Sequence, residues 1–163
     1  MSYPPVRYHG QGEQGAATFR PAGAPRELDQ GAAGAAYLAP GSLTGGDYGL
    51  FRWDMPASPS GPAPHFHRTM SEAFFVIDGR VQLTDGARTV DAGPGDFLYV
   101  PPGGVHGFRN ESGEPASMLI LFAPGAPREG YFEALAEIAR SGRQLGKDEW
   151  TELYARHDQY MVQ

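Results

Sequence analysis

The 163-residue sequence contains no cysteine, which excludes disulfide bonds, thiol nucleophiles and thiolate metal ligands. Histidine and the carboxylates are then the strong side-chain ligands that remain for a transition metal. No run of about 18 apolar residues occurs, so no segment is long enough to cross a bilayer as a helix. Residues 1–10 lack the apolar stretch of a secretory signal, and we therefore expect a cytoplasmic protein.

Positive charge is also scarce. The 13 Lys and Arg residues face 19 Asp and Glu residues, and the net charge is -6. This balance weighs against nucleic acid or an anionic membrane as a partner, since both select basic surfaces. Glycine and proline are abundant, with 23 and 15 copies, which favours short strands joined by tight turns over a helix bundle.

The chain divides into three regions that differ in composition and in the period of their apolar residues. Residues 1–40 are rich in Gly, Ala and Pro without a sustained period, and we expect an N-terminal arm that is partly extended, with strands around Ala16–Pro21 and Ala35–Ala39. Disorder of this arm is the alternative. Residues 41–125 have the pattern of a β-barrel, and residues 126–163 have that of a helical extension packed on the barrel.

The middle region consists of short apolar or alternating segments separated by turn residues. The predicted strands are Tyr48–Met55, Ala73–Ile77, Val81–Thr84, Arg88–Asp91, Phe97–Val100, Val105–Arg109 and Ala116–Phe122. Asp78-Gly79 and Asp85-Gly86 are hairpin signals. The last strand is apolar on both faces, which predicts a central position. This spacing indicates an antiparallel barrel or sandwich.

The period becomes helical from Arg128 onward. Apolar residues recur at helical spacing in two segments joined by Gly142–Gly146: Tyr131, Leu135 and Ile138, then Trp150, Leu153 and Tyr154. We expect two helices that pack across the outside of the barrel and cover its core.

Three of the five histidines form a candidate metal site with one glutamate. His65 and His67 are two residues apart, so on a strand both imidazoles point to the same face. Glu72 begins the next strand, and His106 is the candidate for a third imidazole. A lone buried histidine is more often a satisfied core residue, but four such groups buried together without a cation would be costly. For His9 and His157 we favour ordinary surface positions.

These residues lie in two stretches that resemble the paired motifs of the cupin superfamily. The second motif, G-x5-P-x-G-x2-H-x3-N, matches at Gly95, Pro101, Gly103, His106 and Asn110. The first, G-x5-H-x-H-x(3,4)-E-x6-G, matches at His65, His67, Glu72 and Gly79. It departs at its leading glycine, where this chain has Pro59, and that position belongs to a loop.

The resemblance implies an all-β fold, the antiparallel double-stranded β-helix or cupin jelly-roll barrel, here with two C-terminal α-helices. It implies that the four motif side chains bind one divalent transition metal ion, and such ligands suit Fe, Mn, Ni, Co or Zn. Beyond the motifs the chain is similar to bacterial single-domain quercetin-dioxygenase-like cupins, whose best-known members open a flavonol ring with dioxygen.

Alternation along the strands predicts what surrounds the ligands. Residues that share a face with a ligand, or that form the apolar face of the first barrel strand, are expected to line a substrate pocket: Phe51, Trp53, Met55, Phe74, Val76 and Phe108. The alternative is that these side chains simply fill the barrel core.

The predicted function is that of a metal-dependent dioxygenase acting on an aromatic or enol-type small molecule, with Glu72 as both metal ligand and catalytic proton acceptor. A metal-dependent isomerase or lyase, and a non-catalytic small-molecule-binding cupin, are the alternatives. The expected partners are a small-molecule substrate, dioxygen for an oxygenase, and a second copy of the chain, because exposed sheet edges and an apolar arm favour a homodimer.

Overall fold

The computed structural model describes residues 2–12 and 15–162. Within these residues the strands are β1 Leu28–Gln30, β2 Ala33–Ala39, β3 Gly49–Met55, β4 His65–Phe66, β5 Ser71–Asp78, β6 Val81–Thr84, β7 Thr89–Ala92, β8 Phe97–Val100, β9 Gly107–Arg109, β10 Ala116–Ala123 and β11 Tyr160–Met161. The helices are α1 Gly41–Thr44, α2 Arg128–Ser141 and α3 Lys147–Arg156. They contain no segment long and apolar enough to cross a membrane.

The larger sheet has six antiparallel strands in the order β1-β2-β3-β10-β5-β8. Strand β10 lies between β3 and β5, where Ile120 faces Phe51 on one side and Phe74 on the other. Its central position was predicted from its two apolar faces and is confirmed. Strands β5 and β10 are the longest of the sheet, with eight residues each. The candidate ligand Glu72 lies in β5.

The opposing layer consists of two smaller antiparallel sheets, β7-β6-β9 and β11-β4. A bridge between His65 and His106, with both backbone hydrogen bonds at 2.8 Å, joins β4 to the chain just before β9. The rings of Phe74 and Phe108, from opposite layers, lie 5.6 Å apart, so the layers pack face to face around one apolar core. The antiparallel double-stranded β-helix predicted from the sequence is therefore confirmed.

The first forty residues add β1 and β2 to the edge of the larger sheet, and β2 covers the predicted Ala35–Ala39 segment. The strand predicted over Ala16–Pro21 is wrong, because these residues have no regular structure. Phe19 is exposed, so a strand here has no apolar face to bury, and Pro21 interrupts backbone pairing.

Two motif residues, Gly79 and Asn110, hold the backbone around the motif strands in place. Gly79 has φ 73°, and a Cβ there would lie 2.4 Å from the carbonyl oxygen of Pro115, so only glycine fits. The buried Asn110 side chain donates to the carbonyl oxygens of Pro56 and Glu114, both at 2.8 Å. These contacts fix the loops at one end of the motif strands.

The two C-terminal helices form as predicted, but they do more than pack across the outside. Helix α2 places the ring of Phe132 at 5.3 Å from Phe51 and 5.0 Å from Trp53, side chains that belong to the inner face of β3. Helix α3 adds Leu153 to the same core. From this position α2 and α3 also form part of the wall of a cavity.

Candidate metal centre

The four candidate ligands come from three adjacent backbone segments. His65 lies in β4, His67 follows it on the same face, and the bridge described above sets His106 directly beside His65. Glu72 lies in β5, on the face that points into the core. The backbone nitrogen of Gly103 donates to the carbonyl oxygen of His67 at 2.7 Å, which ties the two motifs together. All four side chains are buried.

The ligand atoms converge on one point. One nitrogen from each of the three imidazoles and one carboxylate oxygen all lie within 4.8 Å of one another. Glu72 Oε2 is 3.0 Å from His67 Nε2 and 2.7 Å from His106 Nε2. The His65 and His106 ring centroids are 4.4 Å apart. Four ligand atoms this close together could hold one metal ion.

Hydrogen bonds at the other ring nitrogen fix the orientation of each imidazole. Nδ1 of His65 and of His106 each lie 2.9 Å from a backbone carbonyl, and Nδ1 of His67 lies 2.5 Å from that of Asp158. A carbonyl only accepts, so each Nδ1 carries a proton, and Nε2 of a neutral imidazole then presents a lone pair to the centre. Histidines that bind metals show this arrangement.

The electrostatics of the cluster favour a positive charge beside Glu72. Burial raises the pKa of Glu72, but the hydrogen bonds from His106 and His67 outweigh it and lower that pKa to about 2. Burial lowers the pKa of His106, but the hydrogen bond to Glu72 raises it above its ordinary 6.5. Burial and the charge of His106 lower the pKa of His65 to about 4. Without a metal, the nearby carboxylate therefore makes it easier for His106 to hold a second proton.

Three imidazole lone pairs and one carboxylate oxygen form a donor set that fits a divalent transition metal ion. Such an ion would take the place of a proton on His106 as the positive charge next to Glu72. The cluster can thus hold a metal ion, and neutral imidazole donors favour a transition metal over Ca²⁺ or Mg²⁺, which select oxygen ligands.

The C-terminal segment after α3 packs against β4 and His67 of the ligand cluster. Asp158, whose φ is 54°, turns its carboxylate back to accept hydrogen bonds from the backbone nitrogens of Arg68 and Thr69 and from Thr69 Oγ1. Strand β11 then pairs with β4, and the rings of Tyr160 and Phe66 stack at 5.3 Å. These contacts hold the Asp158 carbonyl against His67.

A cavity of about 600 Å³ opens beside His65 and Glu72. Of the predicted pocket residues, Trp53, Met55 and Phe108 line it. Phe51, Phe74 and Val76 instead fill the core and are fully buried. Neighbouring aromatic rings cover this face of the sheet. Phe51, for example, packs edge-on against Tyr37 and Phe132. These three side chains lie in the apolar core and are not part of the cavity lining.

A further part of the wall comes from residues that sequence reasoning did not assign to the pocket. The helices and C-terminal segment contribute Arg128, Tyr131, Phe132, Leu135, Trp150, Tyr154 and Gln159. A signal was present, because Arg128 stands three and seven residues before Tyr131 and Leu135 and so shares their helical face. An arginine on an otherwise apolar face points to a buried partner or ligand.

Comparison with known proteins agrees with this fold. A cupin domain model matches residues 51–122. An uncharacterized protein of Streptomyces coelicolor is 34% identical over 76 residues, which cover 47% of this chain and 68% of that protein. The chain belongs to the cupin superfamily.

Two further similarities are informative. Quercetin 2,3-dioxygenase of Bacillus subtilis is 30% identical over 73 residues, and the match covers 45% of this chain but only 21% of that enzyme. A crystal structure of a Klebsiella pneumoniae protein with a double-stranded β-helix domain superimposes with a TM-score of 0.51 at 21% identity, covering 63% of this chain and 85% of the other. The latter shows the shared fold.

Proposed function

We propose that this cupin binds one divalent transition metal ion at His65, His67, Glu72 and His106 and acts as a dioxygenase on an aromatic or enol-type small molecule. The observation that carries the proposal is the convergence of three Nε2 lone pairs and a carboxylate beside an aromatic-lined cavity. The 30% identity to a segment of quercetin 2,3-dioxygenase supports this reaction class.

The residues around the cluster provide two functions that such a reaction needs. The bound ion would supply Lewis acidity, which makes an enol or phenol oxygen easier to deprotonate. Glu72 makes its hydrogen bonds through Oε2, so Oε1 is left to accept the substrate proton. Its low pKa keeps the carboxylate ionised at neutral pH.

The cavity fits the proposed substrate class. Its volume of about 600 Å³ lies in the range of pockets for small organic ligands. The rings of Trp53, Phe108 and Phe132 offer flat apolar surfaces for an aromatic molecule. In the overall reaction both atoms of dioxygen enter the substrate, which is itself the electron donor, so no separate reductant is consumed.

Oxygen consumption tests the proposal. Protein loaded separately with Fe(II), Mn(II), Co(II) or Ni(II) is assayed in an oxygen electrode against flavonols, diketones and catechols. We expect substrate-dependent oxygen uptake that is lost in Glu72→Gln and kept in the exposed control Glu111→Gln. Turnover under strict anaerobiosis would favour the isomerase or lyase, while binding without turnover by any loaded form would favour the non-catalytic alternative.

We also propose a homodimer. Strand β8 is an edge of the six-stranded sheet, and its outer face, together with that of β5, exposes a cluster of large apolar side chains: Phe75, Ile77, Phe97 and Tyr99. A second copy is the occupant that this surface favours, because an unpaired edge strand can pair with its own symmetry mate.

A further inference from the structure

The guanidinium of Arg128 is a buried positive charge at the cavity wall. The residue is 4% exposed and begins α2. Its Nη1 donates to the carbonyl oxygen of His157 at 2.7 Å, and its Nη2 donates to Gln159 Oε1 at 3.2 Å. Both acceptors are uncharged oxygens, and the Nε atom has no hydrogen-bond partner among the described residues. Since a guanidinium has five N–H donors, most of its capacity is unused.

No carboxylate of the described chain is paired with this charge. The two carboxylates whose charge acts most on Arg128 are Glu72 and Asp158. Glu72 is held by the imidazoles of His67 and His106, and Asp158 by the backbone of Arg68 and Thr69. A buried cation without an anion is costly, so its retention here points to an anion that arrives with a ligand.

The surroundings hold the guanidinium in place rather than neutralise it. Its central carbon lies 5.1 Å from the ring centre of Phe122, 4.3 Å from Tyr131 and 5.5 Å from Phe132. These aromatic faces stabilise a cation but leave its N–H edges free for a second partner. Phe122 also contacts His67, with ring centroids 6.3 Å apart, so one ring separates Arg128 from the metal cluster.

We propose that Arg128 binds a carboxylate group of the substrate, so that the substrate is an aromatic or enol-bearing acid with its hydroxyl oxygen at the metal and its carboxylate at the guanidinium. The substrate class rests on the proposed function, whereas the anion site itself rests on Arg128 alone. A divalent ion with Glu72 leaves one positive charge, and Arg128 adds a second. A ligand with one ionised hydroxyl and one carboxylate balances both.

The geometry favours a carboxylate over a neutral carbonyl. A planar guanidinium pairs with a carboxylate through two parallel N–H···O bonds, which a carbonyl or an ester cannot match. A hydrogen bond to a charged group contributes about 1.5–3 kcal/mol, which corresponds to about 10- to 100-fold in affinity.

The test compares caffeate with its methyl ester, which keeps the catechol but removes the negative charge. Calorimetric titration of the zinc-loaded 163-residue protein should show about 10- to 100-fold tighter binding of caffeate than of the ester. Arg128→Gln should lose this preference, Arg128→Lys should keep part of it, and the exposed control Arg140→Gln on the same helix should keep it all. Zinc content and circular dichroism confirm that each variant is folded and loaded.

Two results would overturn the assignment. One is equal binding of acid and ester by the wild-type protein, which requires no variant to fold. The other is an undiminished preference in folded, loaded Arg128→Gln, which would place the carboxylate elsewhere, for example on the metal. Oxygen uptake is measured separately, so a carboxylate preference that depends on Arg128 stands even if the dioxygenase proposal fails.

Discussion

Replacement of Asp158 by alanine should weaken metal binding although its side chain does not touch the ligand cluster. The carboxylate clamps the C-terminal segment to the turn after β4, and the backbone carbonyl of the same residue receives Nδ1–H of His67 at 2.5 Å. Without the clamp, this carbonyl moves away and the imidazole loses the partner that fixes its orientation. Asp158 is thus a positioning residue.

The contacts set the size of the effect. Three donors reach the carboxylate: the backbone nitrogens of Arg68 and Thr69, and Thr69 Oγ1 at 2.7 Å. The side chain is partly in water, so each bond contributes about 1 kcal/mol, and the three together hold the segment by about 3 kcal/mol. Their loss shifts the docking equilibrium by on the order of a hundredfold. We expect zinc affinity to fall by about 10- to 100-fold, as found for outer partners of metal-bound histidines.

The assay is competition for zinc with a chromophoric chelator at pH 7.5. Asp158→Asn is the informative intermediate, because it keeps one acceptor oxygen and tolerates the left-handed backbone, so its affinity should lie between those of the wild type and Asp158→Ala. Asp91→Ala, at an exposed carboxylate on β7, is the control. Unchanged zinc affinity in Asp158→Ala with an intact circular-dichroism spectrum would refute this role for the C-terminal segment.

Three further outcomes are expected. Metal binding should release a proton and weaken as pH falls, because the pKa of His106 is raised in the metal-free protein and its protonated ring cannot bind an ion. Calorimetric titration in buffers of different ionisation enthalpy measures the proton release. Metal binding without proton release would contradict this prediction. Phe132→Ala should lower the free energy of unfolding by about 3 kcal/mol, because the ring packs against Phe51 and Trp53. A loss under about 1 kcal/mol in urea denaturation would show that α2 is not part of the core. Light scattering should give twice the chain mass of 17.5 kDa, and Phe97→Asp should give the monomer; a wild-type monomer at micromolar concentration would refute the dimer.

Local patterns predicted the features that depend on neighbours along the chain. The two-residue spacing of His65 and His67 predicted their shared face, and the all-apolar composition of β10 predicted its central place in the sheet. The motif frame identified His106 as a candidate ligand. The cross-strand bridge between His65 and His106 explains why their side chains lie next to each other.

The features that the sequence did not reveal depend on contacts between distant segments. Alternation places Trp53 and Phe51 on the same face, but only the position of α2 decides that Phe51 is covered and Trp53 reaches the cavity. Likewise, His67 and Asp158 are 91 residues apart, and no periodic pattern links them. Helix-face analysis could have singled out Arg128, because it begins an apolar stripe.

The central claim is that His65, His67, Glu72 and His106 together bind one metal ion. Its most direct test is elemental analysis of the purified protein beside His67→Ala and the exposed control His9→Ala, with circular dichroism to verify folding. We predict one equivalent of transition metal per chain in the wild type and in His9→Ala, and a large loss in a folded His67→Ala, because the sheets rather than the ion supply most of the stability. A full equivalent of tightly bound metal in folded His67→Ala would contradict the account.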